Sequence, residues 1–288
     1  MIEINELKYF LNSMKETLPF EDEKDFRKKI KESKEFRIKV QKLVYISKFF
    51  GWDNKYHFNF HEHGPYSCEL SHDYKILSEN LSLKPENMNL KVDLMKNFIQ
   101  NHPNEFLEAT SSILYYIKRV NSQNVNVNEI LDILSYLKPH IHKIVIVESY
   151  NKIKEYNLIN HDLINDHTDN LTKDIVLDKL DGLIGIFEKY DVCSNQMLFL
   201  GSLDYFRLAL KRENLNLQQQ NELLKVVFDY AEYVENYYFT NYMLPENFPY
   251  YDLTPIEEEF NQLQYYISDL GILPRLNDEN VDLSIFLE

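Results

Sequence analysis

The stretch over residues 42–70 changes its hydrophobic period twice, and this narrows the choice of fold. Its first part, KLVYISKFFGW, has apolar residues at helical spacing up to Gly51, and the following YHFNF alternates aromatic and polar residues from Tyr56. Gly64 and the proline after it end the alternation, and Ser67 can cap a new helix. The stretch therefore predicts a helix, a strand, a sharp turn and a second helix.

The composition predicts a globular protein with an uneven charge distribution. The 288 residues are 44% hydrophobic and 14% aromatic, which is too apolar for a disordered chain. No apolar run approaches the roughly 20 residues that span a bilayer, and the first ten residues do not resemble a signal peptide. We therefore expect a cytoplasmic protein without membrane contact. Residues 1–150 contain equal numbers of acidic and basic side chains, so residues 151–288 carry the whole net charge of −15.

Basic residues concentrate in one segment of the neutral half. Residues 19–50 are predicted to form a single helix whose basic face, ending at Lys42, is offset only by Glu32 and Glu35. Such a face can bind DNA, because ion pairing with phosphates releases counterions. A solvated face, or one that docks on the acidic half of the chain, is the alternative. The residues assigned to nucleic-acid contact are Arg27, Lys28, Lys29, Lys31, Lys34, Arg37 and Lys39.

The rest of the pattern is mostly helical, so the predicted fold class is mostly α. Residues 1–165 are expected to form a winged-helix-like domain with a short β-hairpin. Three long helices and a shorter one are predicted between residues 171 and 270, separated by polar breaks. Residues 166–288 are therefore expected to form an acidic helical bundle.

The motifs of the first half resemble those of a known family. KLVYISKFFGW followed by F-x-F-x-x-HGPYS-x-x-L is similar to the N-terminal signature of the YwgA-like family of uncharacterised prokaryotic proteins, and more distantly to the SocA-type (Panacea) antitoxin domain. FLEATSSILYYIKR and LKPHIHKIVIVESYNKIKEYNLI resemble the later L-E-x-x-A-S and K-P-H segments of the family. The resemblance covers roughly residues 35–160, and it departs at His63, where an aromatic residue is usual.

The resemblance implies a winged-helix-like fold and a regulatory or toxin-neutralising role, with no catalytic residues. The turn motif Gly64, Pro65, Tyr66 and Ser67 also has a purely structural explanation. Glycine can adopt a positive φ, proline fixes its own φ, and serine can accept a hydrogen bond from a helix N–H group. In addition, the hairpin can act as a wing that contacts DNA or a protein partner.

Histidines around the turn suggest a metal site as a rival interpretation. His57, His61 and His63 share a face if the strand continues through them, and a carboxylate such as Asp73 would complete a set of zinc or iron ligands. There is no H-E-x-x-H helix and no identifiable partner that would orient the ligands. Surface or capping histidines are the simpler interpretation, so no cofactor and no metal are expected.

Tyrosines of the acidic half suggest a protein interface. A stripe at helical spacing that includes Tyr230 and Tyr233 is expected to be mostly core. The residues assigned to partner binding, in a homodimer or with another protein, are Tyr237, Tyr238, Tyr250 and Tyr251.

Three functions follow from these patterns. The first is a non-catalytic winged-helix regulatory protein that binds DNA through the basic helix. The second is an antitoxin-like or defence-related module that binds a protein. The third is a metal-dependent hydrolase that uses the histidine cluster.

Overall fold

The computed structural model describes residues 2–61, 63–79, 88–120, 127–158, 171–189, 196–211, 215–237 and 254–273. These residues form twelve α-helices and one two-stranded antiparallel hairpin, which confirms the mostly α fold class. The chain divides into two compact units, Met1–His167 and Thr168–Glu288. The boundary expected after residue 165 lies outside the described residues.

The first unit contains the hairpin and eight of these helices. In chain order its elements are α1 (Ile2–Ser13), α2 (Glu23–Glu32), α3 (Lys34–Ser47), β1 (Asn59–His61), β2 (Gly64–Tyr66), α4 (Cys68–Glu79), α5 (Val92–Ile99), α6 (Asn104–Val120), α7 (Val127–Leu137) and α8 (Lys143–Glu155). A short 3₁₀ helix, Lys48–Phe50, extends α3.

The prediction of a single helix over residues 19–50 is wrong, because the chain breaks at Ser33. The Ser33 N–H group donates to the Lys29 carbonyl and ends α2, while its Oγ accepts from the Phe36 N–H group and begins α3. Ser33 has an extended backbone, with φ −105° and ψ 107°. One serine therefore caps both helices, and the basic residues divide between two helix axes.

Helix α3 lies at the centre of the first unit. All its residues from Val40 to Ser47 are buried, and it packs against α6 and β2. The hairpin is also enclosed, because Asn59, Phe60, Gly64 and Pro65 are buried against these helices. The second half of α3 and most of the hairpin therefore belong to the core.

The turn motif has the predicted backbone. In the hairpin Phe60 pairs with Pro65 and His61 with Gly64. The φ of Gly64 is +82°, which favours glycine. The Ser67 Oγ accepts a hydrogen bond from the Leu70 N–H group at 3.3 Å, so the predicted cap of α4 is confirmed.

The second unit contains four helices in its described part. They are α9 (Lys173–Lys189), α10 (Gln196–Lys211), α11 (Leu217–Tyr237) and α12 (Thr254–Asp269). Helix α10 packs against α9 and α11, and α12 packs against α10 and α11. Aromatic rings of Phe206, Tyr230 and Phe260 meet in the core, where apolar burial drives the packing.

Candidate functional site

The three histidines proposed from the strand pattern do not come together. Strand β1 ends at His61, so the alternation that would align His63 with His57 is interrupted. The Nδ1 of His57 lies 3.2 Å from a carboxylate oxygen of Glu69, and the ring of His61 contacts that of Tyr66. The histidine set of the rival metal interpretation is therefore not assembled among the residues described.

A different cluster forms where three distant segments meet. The His140 Nε2 lies 3.1 Å from the Glu108 Oε1, and the His63 Nδ1 lies 3.8 Å from the Glu108 Oε2. Ligand-type atoms of these three residues all lie within 4.8 Å of one another. Glu108 lies on α6, and His140 lies in the connection between α7 and α8.

Two buried lysines determine the electrostatics of this cluster. The Lys138 Nζ lies 3.1 Å from the Glu108 Oε1 and 5.2 Å from the centre of the Phe60 ring. The Lys42 Nζ donates to the Pro65 carbonyl at 2.6 Å. Side chains of Lys42 and Lys138 are only 2% and 1% exposed, so both amines lie in a low-dielectric environment.

These charges shift the pKa values of the cluster. Burial raises the pKa of Glu108, but His63, Lys138 and Lys42 together outweigh burial and lower this pKa to about 2. Burial lowers the pKa of Lys42 well below its ordinary value; Lys138 adds to this shift and Glu108 opposes it. Glu108 is therefore ionised at neutral pH and is the counter-ion for the buried amines.

The cluster is poorly suited to hold a divalent cation. Its single carboxylate already contacts Lys138 and His140 through the same oxygen. A metal ion would have to displace a buried ammonium group and would face a second one nearby, which is unfavourable electrostatically. We therefore do not propose the metal-dependent hydrolase.

Two cavities open beside the cluster. The first, which we call the basic cavity, has a volume of about 430 Å³ and lies between α3, the hairpin and α4. The second has a volume of about 760 Å³ and lies between α3 and the start of α6. Lys34, Ile38, Lys42 and His63 line both cavities.

The basic residues assigned to nucleic-acid contact have three different environments. Arg27 donates to the Ser78 carbonyl, and Arg37 donates to the Ile30 and Lys31 carbonyls at the end of α2. Lys29 forms a salt bridge with Asp25.

Lys39 is half-buried, and burial lowers its pKa against the opposing effect of Glu35. Lys28, Lys31 and Lys34 are exposed. The side chains of these three lysines form no hydrogen bond or salt bridge with another described residue.

The tyrosines assigned to partner binding cannot be placed. Tyr238, Tyr250 and Tyr251 lie outside the described residues, as does the side chain of Tyr237 at the end of α11. Within α11, Tyr230 is buried, which confirms the core assignment there, and burial raises its pKa. Tyr233 is 37% exposed and Tyr265 on α12 is 55% exposed.

Sequence reasoning missed Glu108 and Lys138 as site residues. Glu108 lies on α6 and Lys138 follows α7, and a charged residue on the apolar face of α6 was a usable signal for Glu108. The chain matches no known family model, curated protein or solved structure. No helix in the described ranges is long and apolar enough to cross a membrane.

Proposed function

We propose that the protein is a non-catalytic regulatory protein that binds DNA through a lysine face on α2 and the start of α3. The face consists of Lys24, Lys28, Lys31 and Lys34. The observation that carries the proposal is that all four side chains are exposed and none forms an ion pair with another described residue.

The spacing of the lysines supports a common surface. Lys24, Lys28 and Lys31 are separated by four and three residues, so they lie on one side of α2. The opposite side of this helix buries Phe26 and Ile30. The lysines therefore point to solvent because the apolar side is held in the core.

The expected mode of binding is contact with the phosphate backbone. A winged-helix protein would be expected to contact base edges with a helix next to the hairpin. Helix α3 lies next to the hairpin but is buried from Val40 to Ser47, so this part of it is not available to DNA. Lysines that contact phosphates provide affinity with little sequence preference. Four contacts would give a slope of log K against log salt of about −3 to −4.

The test is a fluorescence-anisotropy titration of a random-sequence DNA duplex with the full chain at two salt concentrations. We expect salt-sensitive binding that a Lys28→Glu, Lys31→Glu double variant reduces at least about tenfold, because each charge reversal replaces attraction with repulsion. The control is a Lys91→Glu, Lys154→Glu variant, which makes the same change in net charge at exposed positions elsewhere in the first unit. Absence of binding, or equal losses in both variants, would refute the proposal.

A protein-binding role is the second candidate, supported by the exposed tyrosines of the second unit. Burial raises the pKa of Tyr233, and the acidic side chains of Glu259 and Glu258 add to this shift. Tyrosine is enriched in protein interfaces, and the surrounding acids would suit a basic partner such as a toxin, or the basic surface of a second copy.

Sedimentation velocity tests the homodimer. We expect a Tyr233→Ser, Tyr265→Ser variant to shift a dimer toward monomer, while Leu217→Ser, which removes a 73% exposed apolar side chain, leaves the dimer intact. A monomeric wild-type protein would exclude the homodimer.

A further inference from the structure

The basic cavity has the size and the charge of a binding site for a small anion. Its volume of about 430 Å³ lies within the range of small-molecule sites. Lys34, Arg37, Lys42 and Lys75 line it together with two histidines. No carboxylate lines it among the residues that the structure describes, although the whole chain has a net charge of −15.

Lys42 provides a second and independent indication of a ligand. Its side chain is 2% exposed, and its amine forms a single hydrogen bond, to the Pro65 carbonyl. A lysine amine has at least two N–H donors in either protonation state, and leaving a donor unsatisfied in the interior is costly. Lys42 also lines the basic cavity, so an anion there can accept the remaining hydrogen bonds.

His63 is incompletely satisfied in the same way. Both of its ring nitrogens are buried, and neither lies within hydrogen-bond distance of a described residue: the Nδ1 lies 3.8 Å from the Glu108 Oε2, and the Nε2 forms no hydrogen bond. Its ring lines the basic cavity beside Lys42. A phosphate oxygen can accept a hydrogen bond from a ring N–H group of His63 as well as one from the Lys42 amine, which satisfies two buried polar groups at once.

A hydrogen-bond network joins Gln41 on α3 to Ser71 on α4 at the basic cavity. The Gln41 Nε2 donates to the Ser71 Oγ at 2.9 Å, and its Oε1 accepts from the Ser67 N–H group. The Ser71 Oγ in turn lies 2.8 Å from the Tyr66 hydroxyl and 2.9 Å from the Tyr74 hydroxyl. Two tyrosine rings are thus fixed at the cavity, where they can contact an apolar or aromatic part of a ligand.

From this geometry we infer that the basic cavity binds a phosphate monoester of about mononucleotide size. The basic side chains and His63 hold the phosphate, and the tyrosine side of the cavity holds the organic part. This site is separate from the proposed DNA-binding face, with which it shares only Lys34. Phosphates of a duplex on α2 cannot reach Lys42, because that side chain is buried, although Lys34 is common to the rim and the lysine face.

The test is isothermal titration calorimetry of the full-length protein with AMP, ribose 5-phosphate, inorganic phosphate and adenosine. We expect AMP to bind, ribose 5-phosphate and inorganic phosphate to bind more weakly, and adenosine to show no binding. Equal affinities for AMP and adenosine would overturn the inference, since the phosphate would then contribute nothing. Absence of AMP binding at millimolar concentration would also overturn it.

Two variants locate the site. We expect each of the substitutions Lys42→Met and Lys75→Met to lower the affinity for AMP at least about tenfold, because each removes a hydrogen-bond donor to the phosphate. Lys75 is exposed, so Lys75→Met decides the question even if Lys42→Met does not fold. The control is Lys39→Met, which lies on α3 but lines only the second cavity and should leave AMP affinity unchanged.

The AMP titration and the DNA titration test different residues, so one proposal can fail without the other. The Lys28→Glu, Lys31→Glu variant should bind AMP with wild-type affinity, since neither residue lines the basic cavity. Unchanged AMP affinity in both Lys42→Met and Lys75→Met would refute this site and leave the DNA-binding proposal in place.

Discussion

Replacing Glu108 with glutamine should destabilise the first unit strongly. The carboxylate contacts Lys138 at 3.1 Å and His140 at 3.1 Å, and it lies near the buried Lys42 amine. Glutamine has nearly the same shape but no charge. The substitution therefore leaves two buried amines without their counter-ion while it changes the packing little.

Two routes give the expected magnitude. The pKa of Glu108 falls from an ordinary 4.5 to about 2, and at 1.36 kcal/mol per pKa unit this corresponds to about 3 kcal/mol at neutral pH. Removing one partner of a buried ion pair typically costs about 3–5 kcal/mol. We therefore expect a loss of about 3 kcal/mol in the free energy of unfolding.

The same shift defines a pH dependence. Because the folded-state pKa of Glu108 is depressed, its stabilisation is fully present above about pH 4.5 and is lost as pH falls toward 2. The difference in stability between wild type and Glu108→Gln should accordingly shrink across that window.

The assay is urea unfolding followed by tryptophan fluorescence. Trp52 is the single tryptophan of the chain, it is 2% exposed, and it lies in the first unit, so its emission reports on that unit. At an m-value of about 1–3 kcal/mol per molar urea, the expected loss moves the midpoint by about 1–3 M.

The matched control is Glu105→Gln, which removes an exposed carboxylate from the same helix and should change stability by less than about 0.5 kcal/mol. In a double-mutant cycle, the Glu108→Gln, Lys138→Met variant should lose less free energy of unfolding than the two single variants lose in sum. A Glu108→Gln variant as stable as the control at neutral pH would refute the counter-ion argument.

Three further substitutions test the packing. Gly64→Ala should cost about 2–3 kcal/mol by the same urea assay, because φ is +82° and an added Cβ would lie 2.5 Å from the Ser112 Oγ. Lys179→Met should cost about 3–5 kcal/mol, since it leaves the fully buried Glu235 carboxylate uncompensated, and faster hydrogen exchange in α9 and α11 would reveal the loss. Gly185→Ala should stabilise α9 by about 0.5–1 kcal/mol and so slow its hydrogen exchange, because alanine favours a helix and the added methyl meets no atom within 4 Å.

Each of these outcomes has a contrary result. Exchange in α9 that is no slower in Gly185→Ala would mean that the glycine does not weaken the helix. Wild-type urea midpoints for Gly64→Ala would mean that the turn relaxes without cost. Unchanged exchange in Lys179→Met would mean that its two glutamate partners do not depend on its charge. Lys225→Met, an exposed lysine on α11, is the control for that experiment.

Features that depend on neighbouring residues were predictable from the sequence. The period of apolar residues predicted a mostly helical chain, as the structure shows. The positive φ of Gly64 and the cap at Ser67 also followed from residue type, because both depend on backbone sterics and local hydrogen bonds. The break at Ser33 escaped prediction because the apolar pattern continues through it and only its two capping hydrogen bonds reveal it.

The electrostatic site was decided by tertiary structure alone. Lys42 belongs by sequence to a basic segment, yet packing of α3 against the hairpin and α6 buries it and directs its amine to Pro65. Glu108, His63 and Lys138 come from segments 30 or more residues apart, and no local pattern predicts their distances. The sequence determined which residues could be charged, and the tertiary structure decided which charges are buried together, because burial and contact depend on how distant segments pack.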